Sequence, residues 1–249
     1  MSDSKTSPTE RPQPVSDSQP VDAVRWRVFL MCFLVVLFDG FDTAAIGYIA
    51  PSLMQDWSVA KPALAPVLSA ALFGLAAGAL MAGPLADRWG RRLTLIGSVT
   101  VFGAACLTSA FSPDLTTLTT LRFITGVGLG AAMPNAVTLV SECSPPARRA
   151  FITNTMFCGF PLGAALGGFL AGWMIPALGW RSVLQLGGVA PLVLLPALTI
   201  WLPESMRYLQ TRQNGPDRAQ AKAPRSIALV LSRPFRLGSL MLWLAYFMG

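Results

Sequence analysis

Two aspartates three positions apart, Asp39 and Asp42, stand in the stretch LFDGFDTAAIGYIAP (residues 37–51), inside an apolar run that begins near Trp26. A spacing of three puts both carboxylates on one face of a helix. At 1.5 Å per residue, Asp39 lies roughly 20 Å along that helix from Trp26 and Asp42 roughly one turn further. A single counter-charge is at hand in a second apolar run, LRFITGVGLGAAMPNAVTLV (residues 121–140), whose second residue is Arg122. Ionisable side chains at such depth normally face a cavity, pair with each other and mark a pathway. Two carboxylates against one guanidinium leave one negative charge in a low-dielectric space, and like charges close together push one acid toward its protonated form. The chemistry to expect is proton carriage, with Arg122 a seat for an anionic ligand. A buried Asp–Arg pair can also serve only as a brace between two helices.

The elements that must position these residues are membrane helices. The chain has 249 residues, 53% of them hydrophobic and 12% charged, with a mean hydropathy of +0.54, against about 25% charge in an ordinary soluble domain. Apolar runs long enough to cross a bilayer fall roughly at 26–50, 63–86, 93–111, 118–140, 151–175 and 182–202. A seventh begins near Leu237 and stops at Gly249, so the chain reads as half of something. Residues 1–24 are rich in Ser, Pro and charge and read as a disordered tail. The six-span half covers 25–209, a basic Pro-containing connection covers 210–236, and 237–249 starts the next span.

Charge gives the orientation. With the tail inside, 16 of the 19 Lys and Arg residues fall on inner segments, among them Arg25 and Arg27. Only Lys61 and Arg181 lie on outer connections, with Arg122 in a span, so the positive-inside rule places the N-terminus in the cytoplasm. The net charge of +7 is accounted for by this topology, and no basic stripe with interleaved aromatics points to nucleic acid. At the inner-to-outer depths this implies, Arg122 sits roughly 6 Å below the outer boundary, level with Asp42.

There is no histidine, and Cys32, Cys106, Cys143 and Cys158 are scattered without a CxxC pair. Metal or cofactor chemistry therefore has no support, and the cysteines read as small apolar packing residues. Proton chemistry near neutral pH falls to carboxylates. No nucleophile, base and orienting group converge, so the chain does not read as an enzyme.

Three further motifs lie between spans. GPLADRWGRR (Gly83 to Arg92) follows the second. Gly83 and Gly90 suit tight packing and a sharp turn. Asp87 can face a helix N-terminus or pair with a neighbouring Arg, and Arg88, Arg91 and Arg92 hold the segment at the inner surface. SECSPPARRA (residues 141–150) follows the fourth, with Glu142 able to pair with Arg148 or Arg149. PESMRYL (residues 203–209) closes the sixth and offers Glu204 and Arg207 as another charge pair.

GPLADRWGRR fits GxxxDRxGRR, and with the other two motifs it resembles the signature of the major facilitator superfamily. Together with RFITGVGLGAAMPNAVTLVSE, DGFDTAAIGYIAP is similar to the aromatic acid:proton symporter family within it. The resemblance implies an all-α membrane protein, the six-helix N-terminal bundle of that fold, as two three-helix repeats with a partial seventh span. It implies import of aromatic carboxylates such as benzoate, hydroxybenzoates or protocatechuate into bacteria across the inner membrane. Asp39 and Asp42 become the coupling acids, and the segment around Asp87 a gate. Arg122 as the carboxylate seat comes from depth and charge alone, with Phe41, Tyr48 and Phe123 available for ring contacts. A drug or proton antiporter, a sugar porter, or a fragment that does not transport are the other readings. GFPLGAALGG (residues 159–168) argues against drug export, because it departs from the GPxxGG order of antiporters. Half a bundle exposes its cavity face, so a missing C-terminal half or a second copy is the expected protein partner.

Overall fold

The computed structural model describes residues 20–205 together with Tyr208, Gly238 and Met241. Among the described residues seven α-helices follow one another: α1 Pro20–Asp56, α2 Ala65–Trp89, α3 Arg91–Ser109, α4 Leu115–Cys143, α5 Arg149–Phe157, α6 Gly159–Leu178 and α7 Arg181–Trp201, with a 3-10 turn at Lys61–Leu64. α5 and α6 meet at Cys158 and form one span, so six spans cross the bilayer where the apolar runs are. Arg207, the connection 210–236 and the seventh span, apart from Gly238 and Met241, lie outside the described residues. α1 runs to Asp56, past the expected end near residue 50, because Pro51 is carried inside the helix. The proline forfeits one backbone bond, which a membrane helix can re-satisfy locally.

Two tight helix pairs build the bundle, α2 against α4 and α6 against α1. Both are set by small residues. A Cβ at Gly130 would fall on the Leu75 carbonyl of α2, and one at Gly78 on the Val127 carbonyl of α4. In the other pair a Cβ at Gly163 would strike the Leu37 carbonyl of α1, and one at Gly40 the Phe160 carbonyl of α6. A glycine inside a helix can weaken it, but at Gly40 the missing side chain is what lets the Phe160 backbone of α6 approach α1. Exchanging the first three spans with the last three turns one pair into the other, which is the relation expected of two inverted three-helix repeats. α3 and α7 pack on each other behind these pairs, with a Cβ at Gly188 blocked by the Leu107 backbone.

The interior is in two apolar clusters. One gathers Val28–Val36 of α1 with Leu95, Phe102, Leu139, Met156 and Leu198. The other gathers Phe41–Leu53 with Ala110, Leu118, Trp180 and Leu184. α2 and the α5–α6 span turn large apolar side chains outward, Phe73, Leu80, Phe169 and Trp173 among them, as lipid-facing or partner-facing helices do. At the Asp56 end, α1 is tied to α7: the Trp180 indole N–H donates to Asp56 Oδ2 at 3.1 Å, Arg181 stands 3.4 Å from the same oxygen and lies over the Trp180 ring. α4 begins at Asp114, whose Oδ1 accepts from the Thr117 N–H at 2.7 Å.

Two expectations follow. Gly163→Leu and Gly130→Leu each force a side chain into facing backbone and cost about 1–3 kcal/mol or the fold itself, whereas Gly97→Ala and Gly172→Ala, with open space around them, leave stability unchanged or raise it slightly. Thermal melting of the purified proteins in detergent reads the contrast. The Thr117 backbone hydrogen bond holds the Asp114 carboxyl below the usual Asp value. Its contribution is thus complete above the unfolded pKa of about 4 and is lost as pH falls through the lowered folded value; Asp114→Ala removes that acid dependence from the melting curve.

Candidate functional site

The boundary between the two apolar clusters holds buried polar groups from three helices. On α1, Asp39 and Asp42 follow the first cluster; on α3, Cys106 lies between Phe102 and Ala110; on α4, Arg122 lies between Leu118 and Leu129. Asp42 and Arg122 have side chains only 3% and 2% exposed. Arg122 Nη1 donates to Asp42 Oδ1 at 3.1 Å and to Oδ2 at 3.0 Å. One guanidinium nitrogen thus bridges both carboxylate oxygens. Among the described residues Nε of Arg122 is buried without a partner, and Nη2 lies 3.9 Å from the Cys106 sulfur.

Asp39 is also buried, but it does not join the pair. Its Oδ1 accepts from the Thr43 hydroxyl at 3.4 Å. The sequence places two carboxylates against one guanidinium; the structure gives the guanidinium to Asp42 alone. Three residues of helix rotate a side chain by about 60° back from its starting direction, enough to turn Asp39 toward exposed Thr43 and away from α4. Cys106 is the residue that sequence reasoning misses. Its thiol donates to Asp42 Oδ1 at 2.9 Å and also lies 3.4 Å from the Leu184 carbonyl of α7. Of the aromatic candidates, Phe41 is buried, while Tyr48 and Phe123 are partly exposed, Tyr48 donating to the Ala164 carbonyl at 3.1 Å.

The three inter-span motifs converge at the other end of the helices. Gly90 makes the turn between α2 and α3 with φ 91°, a backbone state that favours glycine. As N-cap of α3 it has no side chain to offer the free N–H groups, and Glu204 supplies one from beyond α7: the Arg92 N–H donates to Glu204 Oε1 at 3.1 Å. The same oxygen accepts from the Ser205 N–H at 3.0 Å. Asp87, expected at this helix start, is exposed on α2 instead; the α3 N-terminus is already occupied by Glu204. Gly83 faces open space, so it does not provide the tight packing expected of it. Arg92 Nη2 donates to the Thr199 carbonyl. Glu142 lies 3.8 Å from Arg91 Nε and accepts from the Ser205 hydroxyl at 2.6 Å, linking α4, α3 and the segment after α7. Tyr208 closes the set by donating to the Arg88 carbonyl at 3.4 Å. Arg148 and Arg149 are exposed at the start of α5, and Arg91 of α3 is a cation that Glu142 faces.

A groove of ≈ 380 Å³ opens at this end, lined by Arg25, Trp26, Phe29, Arg148 and Phe151 among others. It is remote from the buried pair and includes none of its residues. Among the described residues no three His, Cys, Asp or Glu side chains gather as a metal site.

Six apolar helices in inverted repeats around a buried ion pair define a multi-pass membrane protein of transporter architecture. The chain belongs to the Major Facilitator Superfamily, whose family model matches residues 32–249. It is 47% identical to the 4-hydroxybenzoate transporter PcaK of Pseudomonas putida, over 94% of this chain and 57% of that protein. To the gallate transporter of the same organism it is 45% identical over the same shares. To the 3-(3-hydroxy-phenyl)propionate transporter of Escherichia coli (strain K12) it is 41% identical, over 87% of this chain and 51% of that one. The chain thus spans little more than half the length of these relatives. In fold it is similar to the D-xylose-proton symporter, with TM-score 0.65 and 21% identity over 83% of this chain and 55% of that one.

Removing one partner of a buried ion pair strands the other and costs about 3–5 kcal/mol. Arg122→Gln and Asp42→Asn should each lower thermal stability by that order, while the double variant loses less than the sum of the two. Additive losses in a double-mutant cycle would mean that the two groups do not interact.

Proposed function

We propose that the chain is the N-terminal half of a proton-coupled importer of small aromatic carboxylates of the benzoate, hydroxybenzoate or protocatechuate class, acting with a complementary C-terminal half or a second copy of itself. The observation that carries this is the unequal treatment of three buried charges. Arg122 is neutralised by one aspartate but keeps an unused donor at Nε, and among the described residues Asp39, a turn away, is paired with Thr43 and with no cation. A planar carboxylate fits a guanidinium with donors to spare. An aromatic acid that reaches Arg122 brings a second negative charge, and a proton on an aspartate restores balance in a low-dielectric space. Counting Asp39, Asp42 and Arg122, the empty site carries one net negative charge, and the state carrying both proton and substrate carries the same, so symport loads the site without adding to its buried charge.

The relatives support the substrate class, since the names of the three cited above specify 4-hydroxybenzoate, gallate and a hydroxyphenylpropionate. The distribution of Lys and Arg supports a cytoplasmic N-terminus, with the bacterial inner membrane as the site of action. On this reading the network of Arg91, Glu142, Glu204 and Ser205 works as an inner brace. Partly exposed ion pairs are individually worth about 1 kcal/mol or less, so they can form in one conformation and part in the other.

The test is reconstitution into liposomes with an inward proton gradient and labelled 4-hydroxybenzoate outside. The chain is inserted alone and together with the C-terminal half of the P. putida 4-hydroxybenzoate transporter. Accumulation is expected with the complementary half and at background for the chain alone, and Asp39→Asn and Asp42→Asn should each abolish it with insertion unchanged. Near-normal accumulation in both variants would reduce the aspartates to a structural brace. Uptake by the chain alone that disappears in Asp42→Asn would make the working unit a homodimer.

A further inference from the structure

The transport reading leaves open why two aspartates on one helix turn should behave differently, and it makes no use of the buried thiol between them and α7. Cys106 is completely buried, and its sulfur touches three polar groups: Asp42 Oδ1 at 2.9 Å, the Leu184 carbonyl at 3.4 Å and Arg122 Nη2 at 3.9 Å. A thiol has one proton to donate. The carboxylate is both the nearer acceptor and the stronger one, because hydrogen bonds to an ionised acceptor are the stronger kind. The sulfur then faces the guanidinium with its lone pairs, so Asp42, Arg122 and Cys106 close a ring of three contacts. The thiol is also seated from behind. A Cβ on Gly187 of α7 would come within 3.2 Å of the sulfur and 3.1 Å of the Phe41 ring, so the absence of a side chain there keeps the space that Cys106 occupies.

We propose that Cys106 is a positioning residue that keeps Asp42 as the carboxylate partner of Arg122 and thereby leaves Asp39 to carry the proton. Among the described residues the charged and titratable groups near Asp42 are Asp39 on its own helix, Cys106 from α3 and Arg122 from α4; α7 meets the thiol, through the Leu184 carbonyl. A proton arriving on Asp42 must displace donors already in place on its two oxygens, the guanidinium on both and the thiol on Oδ1. A proton arriving on Asp39 displaces only a long hydrogen bond from Thr43. When an anionic substrate draws Arg122 away, Asp42 keeps the thiol as a donor and is not left bare. This division of labour rests on the symport reading for its consequence in transport; the thiol contact and its effect on the two acids do not.

Infrared difference spectroscopy of the chain in lipid nanodiscs, acidified from about pH 8 to about pH 5 and read without substrate, tests it. The S–H band of Cys106, identified by its loss in Cys106→Ser, should lie away from the free-thiol position, shift toward it in Asp42→Asn, whose neutral amide oxygen is a weaker acceptor, and stay displaced in Asp39→Asn. The carbonyl band of a newly protonated buried carboxyl should vanish in Asp39→Asn and persist in Asp42→Asn. On the Asp39→Asn background, Cys106→Ala should bring in a new carboxyl band from Asp42, and Cys106→Ser, which retains a donor, should not. An S–H band at the free position in the unaltered chain, or no new band in Asp39→Asn/Cys106→Ala, overturns the proposal. If the alanine variant fails to fold, the response of the S–H band to Asp42→Asn alone decides. These readouts stand even if the cargo is not an aromatic acid, whereas the uptake experiment above fails in that case.

Discussion

A guanidinium in the middle of an apolar bundle is the constraint around which this structure is organised. Arg122 cannot lose its charge and cannot reach water from a position where its side chain is 2% exposed. It must be answered from another helix, and Asp42 answers it with both oxygens. That fixes how α1 and α4 slide and rotate against each other, because a shift of one residue on either helix swings its side chain away by about 100°. The close approaches at Gly130 and Gly163 serve the same end. They bring the paired helices close enough for packing, rather than loops, to set the height of each polar group.

The pair sits between two apolar clusters, so the polar layer is sealed above and below. Sealing makes the pair costly to break from one side only. The ties at the helix ends are of another kind. Arg181 and Asp56 are nearly half exposed, and Arg91 faces Glu142 at 3.8 Å, a distance at which screening leaves little net energy. A bundle held firmly at mid-depth and by weaker ties at its ends can change those end contacts without breaking its buried pair.

At the Gly90 end of the bundle the capping of α3 illustrates how such a tie can matter despite its small energy. Gly90 is required for the turn and so cannot cap the helix it begins. Glu204, from beyond α7, takes over that role and lies against Arg92, with Ser205 linking onward to Glu142. Three motifs that are far apart in the chain are in this way one network, satisfying the backbone of one helix with the side chain of another segment.

The sequence by itself determined the spans and the matching depth of Asp42 and Arg122 within them, since hydropathy and a fixed rise per residue are properties of one chain segment at a time. Which aspartate receives Arg122 was decided by the rotation of α1 against α4. That Gly40 is a contact and not a weak point depends on the approach of α6. That Glu204 and not Asp87 meets the start of α3 depends on where the chain arrives after six crossings. Cys106 is the extreme case: a cysteine in an apolar run is the same letter whether it fills space or donates to a carboxylate, and only the helix that brings Asp42 to 2.9 Å from its sulfur tells the two apart.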